Sequence, residues 1–424
     1  MEKRVRRVLF VIFFLIFIIV APILILYVQG YRFDFENKKL TQTGGLFIKT
    51  TAPKQAEIYL DEELIRKTDF FFSSALIENL LPKTYNIKVQ KQDYYAWEKN
   101  LEVKEKQVVE ARSIVLLPKD PEFELLATEV ENIWFSEDKT KAIIKETDNN
   151  IWTLKLYNLE KNVRSQLIKE TDIYKTGADL IDLHFTNNDN LMLQVGSKEQ
   201  VSYFELEIDS IPPLLTKAKA PQPLIEDALA YESLNGAIYY LDSLGDLYKT
   251  NASLTSNEKI TSQAFNISQE TEYKLYIFEK AVFIQEGKTI HLLNQEKKIF
   301  EQFSKNIKSL KISPDKRKVV YFSDSEIKIL FLEEQNFQPR FSKGENMFLI
   351  RLSEPINDIF WLNSDYLILI TNNVLKIIEI DNRDRVNIIE IVTVKNPEMF
   401  LNRKTKKFYL LDRGNFFVSE KIII

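Results

Sequence analysis

The sequence of 424 residues contains no cysteine, two histidines and only ten glycines. The absence of cysteine excludes disulfides, thiolate metal ligands and cysteine nucleophiles. Two histidines, His184 and His291, leave little material for imidazole chemistry. The low glycine content leaves no glycine-rich loop for phosphate binding, and tight turns should use asparagine and aspartate instead. We therefore expect no cofactor and no metal ion.

An excess of charge of one sign is also lacking. Lysine and arginine total 57 and aspartate and glutamate total 61, which gives a net charge of −4. This balance excludes the basic excess that is typical of nucleic-acid-binding proteins. Hydrophobic residues make up 45% of the chain, which is enough to build sizeable cores. The length predicts two or three domains, or one large all-β unit.

Residues 8–28 form one long apolar run without a charged side chain, VLFVIFFLIFIIVAPILILYV. As a helix, the run would span roughly 30 Å, the thickness of a bilayer core. It is longer than the apolar region of a signal peptide and lacks a small-x-small cleavage site. Because basic residues are concentrated in 1–7, we expect a cytoplasmic stub there, a transmembrane helix at 8–28 and the remaining chain outside the cytoplasm. A cleaved signal peptide and a buried core helix are the alternatives.

Residues 44–118, after a linker at 29–43, show short stretches in which apolar and polar residues alternate between turn residues. This alternation is typical of β-strands. The predicted strands are 46–50, 56–60, 85–89, 97–103 and 110–117. Five short strands in this length predict a small antiparallel sandwich or barrel.

An ordered series of motifs in this region resembles the PEGA domain, a small surface β module of bacterial and archaeal envelope proteins. The motifs are Gly45-Leu46-Phe47-Ile48, Pro53-Lys54-Gln55-Ala56, Glu57-Ile58-Tyr59-Leu60-Asp61, Thr68, Leu80-Leu81-Pro82-Lys83, Tyr85-Asn86-Ile87-Lys88-Val89 and Asp93-Tyr94. Four residues stand where the family usually has glycine: Gln55, Glu62, Lys83 and Asp93. The resemblance implies a non-catalytic surface module that binds cell-wall or other envelope polymers, or serves as a spacer.

An aromatic cluster of Tyr94, Tyr95 and Trp97 is the candidate ligand contact in this module. Flat aromatic rings suit sugar rings, because both are amphipathic plates with polar edges. The alternative interpretation is structural, with Tyr94 and Trp97 packed inside the sandwich.

Beyond a proline-rich and charged hinge at 118–121, one pattern recurs along residues 122–424: an apolar strand end, a turn with serine, threonine or asparagine, and a second apolar strand. The copies are 134–144, 184–194, 230–240, 310–322, 360–370 and 399–411, with a weaker copy at 276–285. Seven copies over this length give a period of about 43 residues, which matches a four-stranded propeller blade. We therefore predict a β-propeller of about seven blades.

The motif Ser313-Pro314-Asp315-Lys316 resembles the hairpin of TolB-like and WD40-like propellers, and Ser136-Glu137-Asp138 and Asn363-Ser364-Asp365 are degenerate forms of it. The resemblance implies a propeller hairpin. It does not select a function, because propellers include enzymes, scaffolds and binding proteins.

Recognisable catalytic and metal-binding motifs are absent from the sequence. Two clusters of oxygen ligands, Asp148-Asn149-Asn150 and Asp381-Asn382-Arg383-Asp384, lack the glycine and the distal glutamate of a calcium loop and are interpreted as turns. Two basic clusters, 316–318 and 403–407, are interpreted as soluble hairpin edges, with contact to an acidic polymer as the alternative.

These observations predict an all-β, single-pass cell-membrane protein without catalytic residues. It would consist of a transmembrane helix, a PEGA-like sandwich and a propeller, and would act as a binding or scaffold surface outside the cytoplasm. Its expected partners are the lipid bilayer, through 8–28, and a cell-wall polymer or another envelope protein, but not nucleic acid. The alternative is a membrane-tethered propeller hydrolase that acts on glycans or peptides, since a carboxylate pair suffices for a glycosidase. A third option is a sensor, which would need a membrane partner.

Overall fold

The structure is a computed structural model that describes residues 3–422 except 36, 137, 139, 162, 175–176, 198–199, 221–224, 226, 269, 373, 395–397 and 403. Some predicted features therefore lie partly outside the described residues: the start of the cytoplasmic stub, the centre of the 136–138 motif and the first residue of the 403–407 cluster. The described residues form two helices and 37 strands.

The first element is helix α1, Lys3–Val28, which contains Pro22. Its stretch Leu9–Val28 has a mean hydropathy of 3.4, and none of that stretch is buried against the rest of the protein. By length and composition, this helix can cross a membrane. A hairpin of β1, Tyr31–Asp34, and β2, Lys39–Gln42, follows within the segment that the sequence predicted as a linker.

Seven strands then form a two-sheet sandwich, named the small β unit. They are β3 Gly44–Ala52, β4 Glu57–Leu60, β5 Glu63–Lys67, β6 Ser74–Leu80, β7 Thr84–Gln90, β8 Trp97–Glu102 and β9 Val108–Val115. One sheet has the order β6-β3-β9 and the other the order β5-β4-β7-β8. The structure differs from the antiparallel prediction in one pair, because β3 and β9 run parallel. The intervening strands supply the long crossover that a parallel pair needs.

The core of the small β unit follows from the two-residue period of its strands. Leu46 and Ile48 of β3 and Ile58 of β4 are fully buried, as are Ile87 and Val89 of β7. Because successive side chains of a strand point to opposite faces, these residues all meet between the two sheets. Burial of each contributes about 1.5–3 kcal/mol relative to exposure.

The remaining strands form seven four-stranded sheets, named blades 1 to 7. The first strand after the small β unit is β10, Phe123–Ala127. Blade 1 contains β11 Val130–Phe135, β12 Lys141–Asp148, β13 Ile151–Asn158 and β14 Val163–Lys169, and a short helix α2, Glu170–Ile173, follows it. Blade 2 contains β15 Asp179–Phe185, β16 Asn190–Gly196, β17 Val201–Glu207 and β18 Leu214–Ala218. Blade 3 contains β19 Ala228–Leu234, β20 Ala237–Asp242, β21 Leu247–Asn251 and β22 Asn257–Lys259.

The second half of the ring has the same plan. Blade 4 contains β23 Tyr273–Phe278, β24 Ala281–Glu286, β25 Thr289–Asn294 and β26 Ile299–Ser304. Blade 5 contains β27 Ser309–Ile312, β28 Lys318–Phe322, β29 Glu326–Phe331 and β30 Asn346–Arg351. Blade 6 contains β31 Ile356–Trp361, β32 Tyr366–Thr371, β33 Val374–Glu379 and β34 Ile388–Thr393. Blade 7 contains β35 Glu398–Asn402, β36 Lys407–Asp412 and β37 Asn415–Lys421, together with β10.

Blade 7 joins the two ends of this region, because β10 pairs with β37 in the order β10-β37-β36-β35. A propeller closed in this way leaves only short, protected strand edges. Each of the seven repeats predicted from the sequence lies on the first two strands of a blade. The predicted β-propeller of about seven blades is therefore confirmed.

Apolar side chains of neighbouring blades pack against each other. Between blades 5 and 6, for example, Phe331 contacts a cluster that includes Trp361 and Leu367. Val115 and Leu117, at the end of the small β unit, belong to the core between blades 6 and 7. The small β unit is therefore anchored in the core of the propeller.

Candidate functional site

The structure places the predicted aromatic cluster at the joint between the small β unit and the propeller. Trp97 is buried, and its indole Nε1 donates a hydrogen bond to Glu379 Oε2 at 2.7 Å. Tyr95 packs against the core between blades 6 and 7, and Tyr94 packs against the core of the small β unit. The protein therefore covers the Trp97 ring. The suggestion that Tyr94 and Tyr95 contact a ligand stays a prediction.

Lys99, two residues after Trp97 on β8, forms the most buried contact of this joint. Its ammonium lies 2.5 Å from Glu379 Oε1, and the two side chains are 0% and 3% exposed. The same ammonium donates to the backbone carbonyls of Asp381, Arg383 and Arg385 at 2.8, 2.9 and 2.5 Å. Burial raises the pKa of the Glu379 carboxyl, and the charge of Lys99 opposes this rise. A buried ion pair tolerates the loss of one partner poorly, because the other is left uncompensated.

The loop after β33 wraps around the same edge of the small β unit. Asn100 donates through its backbone N–H to Asp384 Oδ2 at 2.8 Å. Arg383 donates to the carbonyl of Glu110 at 2.8 Å, and the Glu110 N–H donates to Gln338 Oε1 at 3.2 Å. The segment interpreted from the sequence as a simple turn, 381–384, is therefore a docking loop. The partners of this loop could not be identified from the sequence, because they lie more than 200 residues away.

A small cleft with room for about 40 Å³ of solvent lies beside this joint. Arg112 and Ser113 of the small β unit line one side, and Phe337 and Gln338 of the propeller line the other. The Arg112 guanidinium forms an ion pair with Glu110 and lowers the pKa of that carboxyl. The cleft thus combines an aromatic ring with charged groups that are already paired.

The opposite edge of the small β unit is largely exposed among the described residues. It consists of β5, β6 and the connecting loop 68–73, and we name it the free edge. Both strands are the outermost of their sheets, and Arg66 of β5 donates to the carbonyl of Leu76 of β6 at 2.7 Å. Phe70, Phe71 and Phe72 of the loop are exposed, with Phe71 82% exposed. Adjacent exposed aromatic rings of this kind are typical of interaction surfaces.

A single carboxylate organises this phenylalanine loop. Asp69 accepts hydrogen bonds from the backbone N–H groups of Phe71, Phe72 and Ser74 at 2.9, 2.6 and 3.0 Å. The N–H donors of Phe72 and Ser74 hold the pKa of Asp69 below its ordinary value. These hydrogen bonds restrain the loop, and a restrained loop loses less conformational entropy on binding. The sequence analysis missed it, although three consecutive phenylalanines between strand patterns were a usable signal.

Other residues singled out in the sequence lie apart from one another. His184 is exposed on blade 2, and His291 lies half-buried on blade 4, where burial lowers its pKa. Lys404 of the second basic cluster pairs with Glu160 at 2.5 Å. Within the described ranges, no group of three histidine, aspartate or glutamate residues could hold a metal ion. On the first strand of blade 6, the Asp358 carboxylate forms an ion pair with Lys311 at 2.6 Å. The hydrolase alternative, which would need a pair of catalytic carboxylates, stays a prediction.

No family model matches this chain, and no curated protein matches its sequence. The resemblance to the PEGA domain therefore stays a prediction. Among solved structures, YCF48 from Cyanidioschyzon merolae is similar over 70% of this chain and 98% of its own length, with 10% identity and a TM-score of 0.43. The β-propeller domain of Cps50 (Swd1) from Myceliophteria thermophila is similar over 72% of this chain and 99% of its own, with 10% identity and a TM-score of 0.41. Raptor from Chaetomium thermophilum matches over 69% of this chain and 28% of its own, with 13% identity and a TM-score of 0.41. These likenesses concern the fold alone.

Proposed function

We propose that the protein is a membrane-anchored envelope protein whose small β unit and propeller act together as a binding or scaffold surface outside the cytoplasm. The observation that carries the proposal is the apolar stretch Leu9–Val28, none of which is buried against the small β unit or the propeller. A soluble protein would expose this stretch to water, whereas a bilayer core accepts a helix of this length. The basic residues before it favour an amino terminus in the cytoplasm.

Backbone geometry supports a PEGA-like identity for the small β unit. Three of the positions where that family usually has glycine, Gln55, Glu62 and Asp93, have φ angles of 57°, 69° and 64°. Positive φ is the conformation for which glycine is favoured, so these side chains occupy glycine-type turns. At these three positions the backbone therefore adopts the turn conformation expected of a PEGA domain, although the residue is not glycine.

The free edge is the surface that we propose for binding, and another envelope protein is the partner that its chemistry favours. Three exposed phenylalanine rings provide apolar area. Aromatic side chains are enriched at protein interfaces, where they often carry much of the binding energy. A polysaccharide would also need polar groups beside the rings, and the carboxylate of Asp69 is already occupied by backbone donors. Cell-wall polymers are therefore the second choice for this edge.

The topology can be tested with single-cysteine variants, because the chain has no cysteine of its own. Leu244 lies exposed on the propeller and Arg6 on the amino-terminal side of the apolar stretch. A maleimide that cannot cross membranes should label Leu244→Cys in intact spheroplasts and Arg6→Cys only after lysis. Both proteins should remain in the membrane pellet after extraction at alkaline pH. The reverse labelling pattern, or release of the protein by alkaline extraction, would contradict the proposal.

A further inference from the structure

The hairpin that follows α1 has an inverted pattern of burial. Phe33 and Leu40 face each other across the β1–β2 pair, and both are exposed. Phe35, one residue after β1, is 81% exposed. On the opposite face of the hairpin, the polar residues Asp34 and Thr41 are buried, at 5% and 3% exposure. A hairpin on a soluble domain normally buries its apolar face and exposes its polar face.

Hydrogen bonds hold the polar face against the small β unit. Thr41 Oγ1 donates to Glu105 Oε1 at 2.5 Å, in the loop between β8 and β9. Arg32 Nη2 donates to Asn79 Oδ1 at 2.8 Å, near the end of β6. These contacts fix which face of the hairpin points outwards. The exposure of the apolar face therefore results from specific polar contacts on the other side.

Arg32 and Thr43 hold the hairpin against the end of the apolar helix and the residues just after it. Arg32 Nη1 donates to the carbonyl of Tyr27 at 2.8 Å, and its guanidinium lies 3.7 Å from the centre of the Tyr27 ring. The Thr43 N–H and hydroxyl both donate to the carbonyl of Gly30 at 2.9 Å. Since the apolar stretch ends at Val28, a helix that spans the bilayer places this hairpin at the membrane surface.

We propose that the outward face of the β1–β2 hairpin, formed by Phe33, Phe35 and Leu40, lies in the interfacial layer of the lipid bilayer. The inference rests on the proposed membrane anchor. Aromatic and aliphatic side chains favour the boundary between headgroups and acyl chains. Lys38, in the turn, is exposed and can meet anionic headgroups, whereas Lys39 pairs with Asp34 on the opposite face of the hairpin. The protein would then contact the membrane through both a helix and a hairpin. Two contacts would fix the orientation of the small β unit and the propeller relative to the membrane.

Contact between two copies of the chain is the competing explanation for this exposed face. Continuity with an apolar helix favours lipid, because the hairpin contacts that helix through Arg32 and Tyr27. The phenylalanine loop provides a matched control. Phe71 is 82% exposed and Phe35 is 81% exposed, but Phe71 lies at the opposite end of β6 from Asn79, the residue that contacts the hairpin.

The test uses full-length protein with one bimane label, reconstituted in vesicles of equimolar phosphatidylcholine and phosphatidylglycerol. The labelled variants are Phe35→Cys, Ile16→Cys within the apolar helix, and Phe71→Cys. Nitroxide lipids quench from the headgroup region or from the end of the acyl chain, and iodide quenches from water. We expect Phe35→Cys to lose several-fold more fluorescence to the shallow nitroxide than Phe71→Cys does. Ile16→Cys should respond most to the deep nitroxide and Phe71→Cys to iodide.

Two kinds of failure are distinguishable. If Ile16→Cys is quenched by lipid but Phe35→Cys behaves like Phe71→Cys, the anchor stands and the hairpin inference is wrong. A Phe35→Cys label shielded from both iodide and lipid nitroxides would indicate a protein contact and would also overturn the inference. If lipid does not quench Ile16→Cys, the proposed membrane anchor fails and the hairpin inference fails with it. Leu40→Cys, on the facing strand, should repeat the behaviour of Phe35→Cys.

Discussion

The two edges of the small β unit differ in polarity. The covered edge buries a charged side chain and the exposed edge presents aromatic rings, whereas proteins usually bury apolar groups and expose charged ones. The docked edge, β8 and β9, is covered by the propeller and carries Lys99, whose charge is buried against Glu379. The free edge, β5 and β6, is open to solvent and carries Phe71 and Phe72. The covered side is thus held by charge and hydrogen bonds, while apolar rings are exposed. The difference agrees with the proposal that the docked edge is an internal joint and that the free edge is the surface that binds a partner.

The largest effect should follow from removing the charge at the docked edge. Lys99→Met leaves the Glu379 carboxylate buried without its partner, which should cost about 3–5 kcal/mol. Chemical denaturation of the full-length protein should show this loss, and the 118–121 hinge should become more sensitive to protease. Lys49→Met, at an exposed position of β3, is the matched control and should change the unfolding free energy by less than about 0.5 kcal/mol.

The same joint offers a second test of the role of charge. The double variant Lys99→Met with Glu379→Leu removes both charges and should recover a large part of the lost stability, since apolar pairs replace buried ion pairs well. An unchanged stability in Lys99→Met would contradict the importance of the ion pair. The absence of any recovery in the double variant would show that the three carbonyl contacts of Lys99 matter more than Glu379.

A smaller effect should distinguish the two edges by pH. Burial raises the pKa of Glu379 above its ordinary value of 4.5, so the folded protein binds a proton more readily than the unfolded chain. The resulting stability is fully present below pH 4.5 and is lost as the pH rises through the raised pKa. Relative to Glu379→Gln, the natural sequence should therefore lose unfolding free energy as the pH rises from about 4.5 through the raised pKa of Glu379. A relative gain over this range would contradict the assignment.

At the free edge, the carboxylate has the opposite behaviour. Backbone N–H donors lower the pKa of Asp69 below its ordinary value of 3.8. Its contribution to the loop is present above that value and is lost only as the pH falls through the lowered pKa. Hydrogen exchange of the Phe72 amide should therefore show no loss of protection when the pH falls from about 8 to about 5, after correction for intrinsic exchange rates.

The smallest effect on stability should come from the exposed rings themselves. Phe71→Ser together with Phe72→Ser should change the unfolding free energy by no more than about 0.5 kcal/mol per substitution. The same substitutions should abolish photo-crosslinking of a partner through a crosslinker placed at Ile65, on β5. A crosslinker at Leu244 on the propeller serves as the control and should be unaffected. Retention of the Ile65 adduct would contradict binding through these rings.

Much of the fold could be predicted from the sequence because it depends on local patterns. The seven repeats lie on the first two strands of seven blades, since alternation and turn residues are local signals. Strand β5 was missed because all five of its residues are exposed and its alternation has no buried face. Strand β6 was missed as well, although Ala75 and Ile77 are buried at alternate positions. The parallel pairing of β3 with β9 joins the two ends of the unit and leaves no local trace.

The candidate site was less predictable, since it depends on contacts that are distant in the chain. The sequence singled out Trp97 as a candidate ligand contact, whereas the structure pairs it with Glu379. Lys99 shares the face of Trp97 and Leu101 on β8, but its partners could not be identified from the sequence because they lie about 280 residues away. The exposed aromatic residues, Phe70 to Phe72, lie in the loop between β5 and β6. A loop has no two-residue alternation from which burial or exposure could be predicted.

The small β unit and the propeller should move as one body, because the Lys99–Glu379 pair and a shared apolar core join them. Nitroxide labels on Phe71→Cys and Leu244→Cys, one on each unit, measure this directly by pulsed electron spin resonance in vesicles. The distance distribution should be a single peak, as narrow as that of a control pair within the propeller, Leu244→Cys with Lys343→Cys. A broad or multiple distribution for the first pair, beside a narrow control, would contradict the claim.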